Sequence, residues 1–192
     1  MTVFEGARLE EAKEIVGRYP EGRERSAIMP LLYLAQSVEG HISRDGLKEI
    51  AGLLDLTTAE VEAVASFYSM YRLRPTGTHV VSVCTNLACM LRGAREVYEA
   101  AHQAAGMRHG QELSEDELIT LHEEECLGVC DFAPVAQVNF ANHDNVTPER
   151  MRELIAGLRE DSVPKPSRGA PAMSSFKSAS RVLAGLKEAP AS

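Results

Sequence analysis

Residues 79–89, HVVSVCTNLAC, decide how this chain folds, because a β-branched run leads there directly into two cysteines separated by four residues. Such a run is typical of a strand. A second cysteine pair lies within residues 125–130, ECLGVC, where three residues separate the thiols. The chain has four cysteines, and they are Cys84, Cys89, Cys126 and Cys130. Two close pairs on separate loops are the arrangement that a four-thiolate metal site requires.

The spacing of the thiols helps to distinguish between metals. Thiolates suit Zn²⁺ and the iron of iron–sulfur clusters, since both favour sulfur ligands. Zinc knuckles and dithiol redox enzymes most often have two residues between their cysteines, as C-x-x-C. This chain contains no C-x-x-C, so the spacing favours neither class. A four-residue gap is a known ferredoxin spacing. The pattern therefore favours a [2Fe–2S] cluster, and it leaves open a zinc site or four buried thiols that bind nothing.

The residues around the cysteines favour a cluster. Backbone N–H groups of residues 85–88, with Gly128 as a further bend-prone position, are predicted to donate hydrogen bonds to sulfur. Apolar side chains are predicted to keep water away from the sulfurs, and they are Leu87, Leu127, Val129 and Phe132. The acidic run at residues 123–125 is either a solvated loop or a charge that lowers the cluster potential. We interpret His122 as an ordinary strand histidine.

Composition and charge exclude several classes of function. The 192 residues carry a formal net charge of −8, which would repel a nucleic-acid backbone. The longest apolar run, residues 28–35, contains Pro30 and has only 8 of the ~20 residues of a membrane span. The acidic first residues fit neither a secretory signal nor a transit peptide. We therefore predict no nucleic-acid partner, no direct membrane insertion, and a reducing compartment in which cysteines serve as ligands.

The chain divides into three segments by composition. Residues 1–75 show helical periodicity throughout and predict a four-helix bundle; the last helix begins with a capping box between Thr57 and Glu60. Residues 76–160 hold all four cysteines. Residues 161–192 are rich in Pro, Ser and Ala and carry five Lys and Arg against two Asp and Glu, so we predict a flexible basic tail. A short amphipathic helix is the alternative there, and its apolar positions are Phe176, Ala179, Leu183 and Leu186.

The middle segment alternates strands and helices. Strands are predicted at residues 79–83, 118–121 and 134–138, and a helix opens at Thr147. A helix over residues 90–105 is predicted to bury a stripe, and the stripe consists of Leu91, Ala94, Val97, Tyr98 and Ala101. This order predicts an α/β sandwich of thioredoxin-like size.

At these residues the chain resembles the thioredoxin-like [2Fe–2S] small subunit of bacterial NADH:quinone oxidoreductase, respiratory complex I. The resemblance covers about residues 19–159. Its most specific carriers are the two cysteine blocks and the Ser-Phe-Tyr of residues 66–68. The other matching stretches are residues 28–32, 64–65, 133–135 and 145–149.

The resemblance implies an α/β fold in which an N-terminal four-helix bundle precedes a thioredoxin-like [2Fe–2S] ferredoxin domain. It implies that the four cysteines hold the cluster, and that the cluster exchanges one electron with FMN in a neighbouring subunit that also binds NADH. A larger iron–sulfur subunit of the same arm is the second implied partner. The implied location is the bacterial cytoplasm, peripheral on the inner membrane's cytoplasmic face.

The sequence agrees with an NADH site in a neighbouring subunit, because no two of its 14 glycines form the G-x-G of a dinucleotide-binding loop. The isolated chain is therefore not expected to turn over NADH. Two alternatives stand beside this function. One is the homologous diaphorase subunit of an NAD-linked hydrogenase or formate dehydrogenase, and the other is a zinc-stabilised interaction module.

Overall fold

The computed structural model describes residues 2–168 and 171–187, and it divides the chain into two compact units. The first unit contains the residues up to Pro75 together with those from Lys177 onward. The second unit runs from Thr76 to Phe176 and contains all four cysteines. Over the residues that the structure describes, each helix is too short or too polar to cross a bilayer.

Helices build the first unit. Its elements are α1 (Ala7–Gly17), a 3-10 helix (Glu24–Ala27), α2 (Ile28–Glu39), α3 (Arg44–Leu54), α4 (Thr58–Phe67) and most of α8 (Phe176–Leu183). Helix α2 is the most buried of them and contacts α1, α3 and α4. The capping box predicted at the start of α4 is confirmed, since Thr57 and Glu60 satisfy each other's backbone N–H groups. A self-contained four-helix bundle is not confirmed, because α8 adds a fifth helix to this unit.

Helix α8 is held to the first unit by hydrogen bonds. The Gln36 side chain donates to Ser180 Oγ over 3.1 Å at a fully buried site. Arg181 donates to the Glu11 carboxylate over 3.1 Å, and Arg18 donates to the Ala184 carbonyl over 3.1 Å. These bonds join α8 to α1 and α2, which are distant in sequence.

Over residues 161–168 and 171–187, the structure therefore differs from the predicted flexible tail. Ser167 N–H donates to the Asn142 carbonyl over 2.9 Å, so the chain is already held to the second unit before α8 begins. On α8, Phe176 and Ala179 are buried as the amphipathic pattern predicts, whereas Leu183 is 46% exposed. Residues 169–170 and 188–192 of the predicted tail lie outside the described residues.

A four-stranded mixed sheet forms the second unit. Its elements are β1 (His79–Cys84), α5 (Leu87–Leu91), α6 (Ala94–Ala104), β2 (Ile119–Glu124), a 3-10 helix (Cys130–Phe132), β3 (Ala136–Val138), β4 (Ala141–His143) and α7 (Pro148–Arg159). The strand order is β2-β1-β3-β4, with β1 and β2 parallel and the other pairs antiparallel. The peptide bond between Ala133 and Pro134, just before β3, is cis.

The core of this unit combines the sheet with α6 and α7, which pack against each other. Its buried residues include Val81, Val83, Val97, Ala101, Ile119, Leu121, Val138, Met151, Leu154 and Ile155. These are the β-branched and aliphatic positions whose alternation or periodicity predicts the elements. The core fixes β1 and β2, and both strands end at the cysteine loops.

One predicted helix is divided in two. The backbone turns at Gly93, whose φ of +93° is a conformation that favours glycine, and this ends α5 before α6 begins. Ala94, Val97 and Ala101 of the predicted stripe are buried on α6. Leu91, which belongs to α5, is instead 78% exposed, because the break at Gly93 takes it out of register with α6.

Candidate metal centre

The four cysteines reach one end of the β1–β2 pair from several kinds of local structure. Cys84 is the last residue of β1, and Cys89 lies in the short helix α5. Cys126 follows β2 in a loop, and Cys130 starts the 3-10 helix. Cys84 and Cys89 are buried, whereas Cys126 and Cys130 are exposed, and all four are free thiols. The site thus has an inner pair and an outer pair of sulfurs.

The sulfurs within each pair are neighbours. The Sγ atoms of Cys126 and Cys130 are 3.8 Å apart. Two thiolates on one tetrahedral metal, each ~2.3 Å from it, would lie about 3.8 Å apart. The outer pair therefore has the separation of two ligands on one metal. The Cys89 thiol likewise has Cys84 as its hydrogen-bonding neighbour, so the sulfurs are arranged in pairs. Among the described residues, no group of three or more His, Cys, Asp or Glu side chains is arranged to hold one ion.

Burial and the neighbouring thiols raise the pKa of Cys89 and of Cys130. The pKa of Cys89 is raised to about 11, first by burial and then by its hydrogen bond with Cys84. The pKa of Cys130 is raised by its hydrogen bond with Cys126 and also by the charge of Cys84, so the two pairs act on each other. A bound cation removes such a penalty, because it neutralises thiolates that otherwise repel. The donor set therefore fits a metal with soft, sulfur-seeking character.

Backbone groups already bond to the sulfurs. Gly128 N–H donates to Cys126 Sγ over 3.4 Å, and the backbone of Val135 hydrogen-bonds the Cys89 sulfur and lowers its pKa. Gly128 has a φ of +75° and open space where a Cβ would stand, so this position requires glycine for its conformation alone. Of residues 85–88, whose N–H groups are predicted to bond sulfur, Thr85 donates instead to the Glu124 carbonyl and Leu87 to Asn86 Oδ1. Gly128, predicted only as a bend-prone position, is a donor to sulfur, and Val135 is a partner that no local sequence signal indicates.

The two cysteine loops are tied to each other. In the parallel register Cys84 lies opposite Glu124, and Thr85 N–H continues the pairing by donating to the Glu124 carbonyl over 3.0 Å. One residue further along each loop, Asn86 Nδ2 donates to Glu125 Oε2 over 2.7 Å. Sequence reasoning missed this bond, because nothing in a single sequence pairs two polar residues 39 positions apart.

The apolar shield predicted around the sulfurs is only partly present. Val129 is 9% exposed and packs with Leu127 against the inner cysteines. Leu87 and Phe132, predicted to exclude water, are instead 72% and 38% exposed. The prediction fails there because α5 has a single turn, so Leu87 at its start turns outward while Cys89 turns inward. Met90 and Leu91 are exposed as well, which leaves apolar side chains on the surface beside the site.

The other polar residues near the site have structural partners. His122 lies in β2, as the strand interpretation predicts, with its Nδ1 3.8 Å from the Glu112 carboxylate. Of the acidic run, Glu123 and Glu124 belong to the end of β2, and Glu125 is the acceptor for Asn86. The run is therefore a strand end with one specific contact rather than a uniformly solvated loop.

Comparison with known proteins places this site in a family. Residues 12–159 match the thioredoxin-like [2Fe–2S] ferredoxin family over most of the chain. The chain belongs to this family. The [2Fe–2S] cofactor predicted from the cysteine spacing is confirmed by that membership, and so is the thioredoxin-like part of the predicted fold.

Curated relatives are similar to this chain over 82–95% of its length. A Mycobacterium tuberculosis protein, named as a subunit of NADH-quinone oxidoreductase, is 48% identical over 183 residues, which is 95% of this chain and 71% of the relative. A Rickettsia bellii protein of the same name is 36% identical over 82% of this chain and 95% of its own length. These names confirm the predicted resemblance.

A solved structure shares the fold. The structure described as NAD⁺-reducing [NiFe]-hydrogenase in the air-oxidised state superposes with a TM-score of 0.61 and 21% identity. The match covers 69% of this chain and 23% of that one. At this level of identity the likeness concerns the fold alone.

Proposed function

We propose that Cys84, Cys89, Cys126 and Cys130 hold one [2Fe–2S] cluster, with the inner pair on one iron and the outer pair on the other. The observation that carries this proposal is the pairwise geometry, in which the outer sulfurs are 3.8 Å apart. When bound, the cluster supplies reversible one-electron transfer. The chain's own residues orient the thiolates and donate N–H groups to them; the Gly128 N–H on Cys126 favours the reduced, more negative form.

We further propose that this chain is the electron-transfer subunit of an NADH:quinone oxidoreductase, and that its cluster exchanges one electron with FMN in a neighbouring subunit. The 48% identity to relatives with that name over 95% of the chain supports this role. The absence of any G-x-G in the sequence also supports it, since NADH must then bind elsewhere in the complex. The chain is then part of an enzyme complex rather than an enzyme by itself.

The diaphorase subunit of an NAD-linked hydrogenase or formate dehydrogenase is the second candidate. The shared fold with an NAD⁺-reducing hydrogenase favours it, at 21% identity. Both candidates require the same cluster and a flavin-bearing partner, so they differ in the complex that the chain joins. The proteins that co-purify with the chain at native abundance decide between them.

The helical unit is the proposed docking element for the partners, which are the FMN- and NADH-binding subunit and the larger iron–sulfur subunit of the same arm. A permanent complex needs apolar interface area, typically ~2,000 Å² or more. At the end of α4 and just beyond it, Phe67 is 79% exposed, Tyr68 37% and Leu73 42%. Exposed aromatic side chains of this kind are common interface anchors. The complex would then lie in the bacterial cytoplasm, on the inner membrane's cytoplasmic face.

The cluster proposal is tested on the full chain, purified without oxygen. We expect about two iron and two sulfide per chain and a rhombic electron paramagnetic resonance signal after reduction by one electron. Replacing Cys130 by Ser should weaken or abolish the cluster, because a hydroxyl is a harder ligand. His122→Asn is the matched control and should keep full iron and sulfide. One zinc per chain without sulfide would refute the cluster and support a zinc-stabilised module.

The docking proposal is tested with surface variants that leave the core intact. The double variant F67S/L73S should lose stable co-purification with the flavin subunit while it keeps iron and sulfide. Leu183→Ser is the control, because Leu183 is an equally apolar, 46% exposed residue on α8 of the same unit. Full co-purification of F67S/L73S would overturn this role for the end of α4.

A further inference from the structure

The side chains of Asn86 and Glu125 meet at the point where the two cysteine loops leave the sheet. Asn86 lies two residues after Cys84 and three before Cys89, and Glu125 directly precedes Cys126. The 2.7 Å hydrogen bond from Asn86 Nδ2 to Glu125 Oε2 therefore connects the loop of the inner cysteine pair to the loop of the outer pair. We propose that this bond, the Asn86–Glu125 bridge, sets the spacing of the two pairs and so retains the cluster. This inference rests on the proposed cluster and assigns positioning residues to it.

Main-chain pairing ends one step before the bridge. The ladder between β1 and β2 runs from His79–Ile119 to Cys84–Glu124, and Thr85 N–H adds one bond beyond it. Past that bond, the contact between residues 86 and 125 is made by side chains. The position of Cys126 relative to Cys84 thus depends on a side-chain contact as well as on the sheet.

Asn86 is itself fixed at three atoms. Its Oδ1 accepts from Leu87 N–H over 2.7 Å, and its carbonyl accepts from Met90 N–H over 2.8 Å, which is the first hydrogen bond of α5. Its Nδ2 is then left to donate to Glu125. Aspartate or serine would serve a helix cap as well as asparagine does, but neither supplies an amide donor. The bridge to Glu125, rather than the helix cap, is therefore the interaction that requires the amide group of Asn86.

The bridge is a charge-assisted bond that is open to solvent on the Glu125 side. Water competes with such a bond, so its loss should not unfold the sheet, whose pairs are held by the ladder and the core. Its loss should instead let the two loops move apart. The expected effect is about fivefold faster loss of iron, which is the size that one hydrogen bond of net ~1 kcal/mol gives.

The experiment compares Glu125→Ala with Glu125→Gln in the full chain carrying its cluster. Both variants remove one negative charge, but only glutamine keeps an acceptor for Asn86. We measure the rate of iron release to a chelator and the line shape of the reduced cluster's resonance signal. E125Q should behave like the wild type within twofold, whereas E125A should release iron about fivefold faster and give a broader signal.

A reversed bridge provides the rescue test. Asn86→Asp keeps the helix cap but sets two carboxylates against each other, so it should release iron faster than the wild type. The double variant N86D/E125Q restores both the net charge and the bond, with the glutamine now donating to the aspartate, and its rate should return to within twofold of the wild type. Asn142→Ala is the matched control, because it removes a comparable bond, from Gln137 over 2.9 Å, outside the cysteine loops.

The outcomes separate this inference from the proposed cluster. Equal release rates for E125A and E125Q, or a double variant as fast as N86D, would overturn the bridge while the cluster stands. A wild-type chain that holds no iron and sulfide would overturn the cluster itself.

Discussion

Replacing Gly77 by alanine should destabilise the second unit through a steric clash at the start of β1. A Cβ at Gly77 would lie 2.7 Å from the Leu118 carbonyl carbon and 2.8 Å from both Leu118 O and Ile119 N. Ordinary contacts of a Cβ begin at 3.4 Å, so all three distances are too short by more than half an ångström. The added methyl group must therefore displace backbone.

The backbone opposite Gly77 cannot move without cost. Leu118 O accepts from His79 N–H over 2.8 Å, and Gly77 N–H donates to Thr120 Oγ1 over 2.7 Å. Moving Leu118 away would lengthen these bonds at the origin of the β1–β2 ladder. Overpacking of this kind costs about 3 kcal/mol, at the upper end of the usual range.

Hydrogen–deuterium exchange of peptides that cover β1 and β2 measures this cost within the second unit alone. A loss of ~3 kcal/mol corresponds to about 100-fold faster exchange of the protected amides. Gly52→Ala in α3 is the matched control, because no atom lies within 4 Å of its added methyl, and it should stabilise the first unit by about 0.5–1 kcal/mol. Exchange in G77A within threefold of the wild type would refute the steric argument.

Three further predictions concern the cap and the titrating groups. Thr57→Ala removes half of the capping box and should cost about 1 kcal/mol, read from a urea melt against a Thr58→Ala control. Burial lowers the pKa of His79, although the charge of Asp161 acts in the opposite direction. The unfolded chain therefore binds a proton at a higher pH than the folded chain does, and stability should fall as the pH drops below about 6.5. His79→Asn should flatten that fall, and an unchanged pH profile of stability would contradict the prediction. The hydrogen bond from Arg181 lowers the pKa of Glu11, so this pair stabilises the fold above about pH 4.3, and the stabilisation is lost as the pH falls further. Arg181→Gln should cost about 1 kcal/mol of unfolding free energy at pH 7 and nothing at pH 2. An equal cost at both pH values would count against the pair.

Local sequence signals predicted the parts of the fold that local chemistry determines. The capping box at Thr57 and the N-cap at Thr147 with Pro148 following are confirmed, because each depends on residues within one turn. The strand that leads into Cys84 is confirmed for the same reason. The spacing of the four thiols, which is a property of the chain itself, favoured the [2Fe–2S] cofactor over zinc, and family membership confirms it.

Contacts between distant residues were not predictable in this way. The amphipathic pattern after Phe176 does not identify Gln36 and Glu11 as the partners of α8, so composition favoured a flexible tail. Strand β4 has only three residues and no β-branched run, so it lacked a signal. The outward direction of Leu87 depends on where α5 ends, and the presence of apolar residues near the cysteines does not predict that end point.

The return of α8 to the first unit has a consequence for biosynthesis. The ribosome makes α1 to α4 first, but the helix that completes their unit follows roughly 100 residues later. At a synthesis rate of about 5–20 residues per second, the early helices wait about 5–20 s for α8. Ala179, Ser180 and Ala184 are buried once α8 is in place, so the surface they cover is open to chaperones during that interval. The second unit, with both cysteine pairs, is translated in full before the first can close.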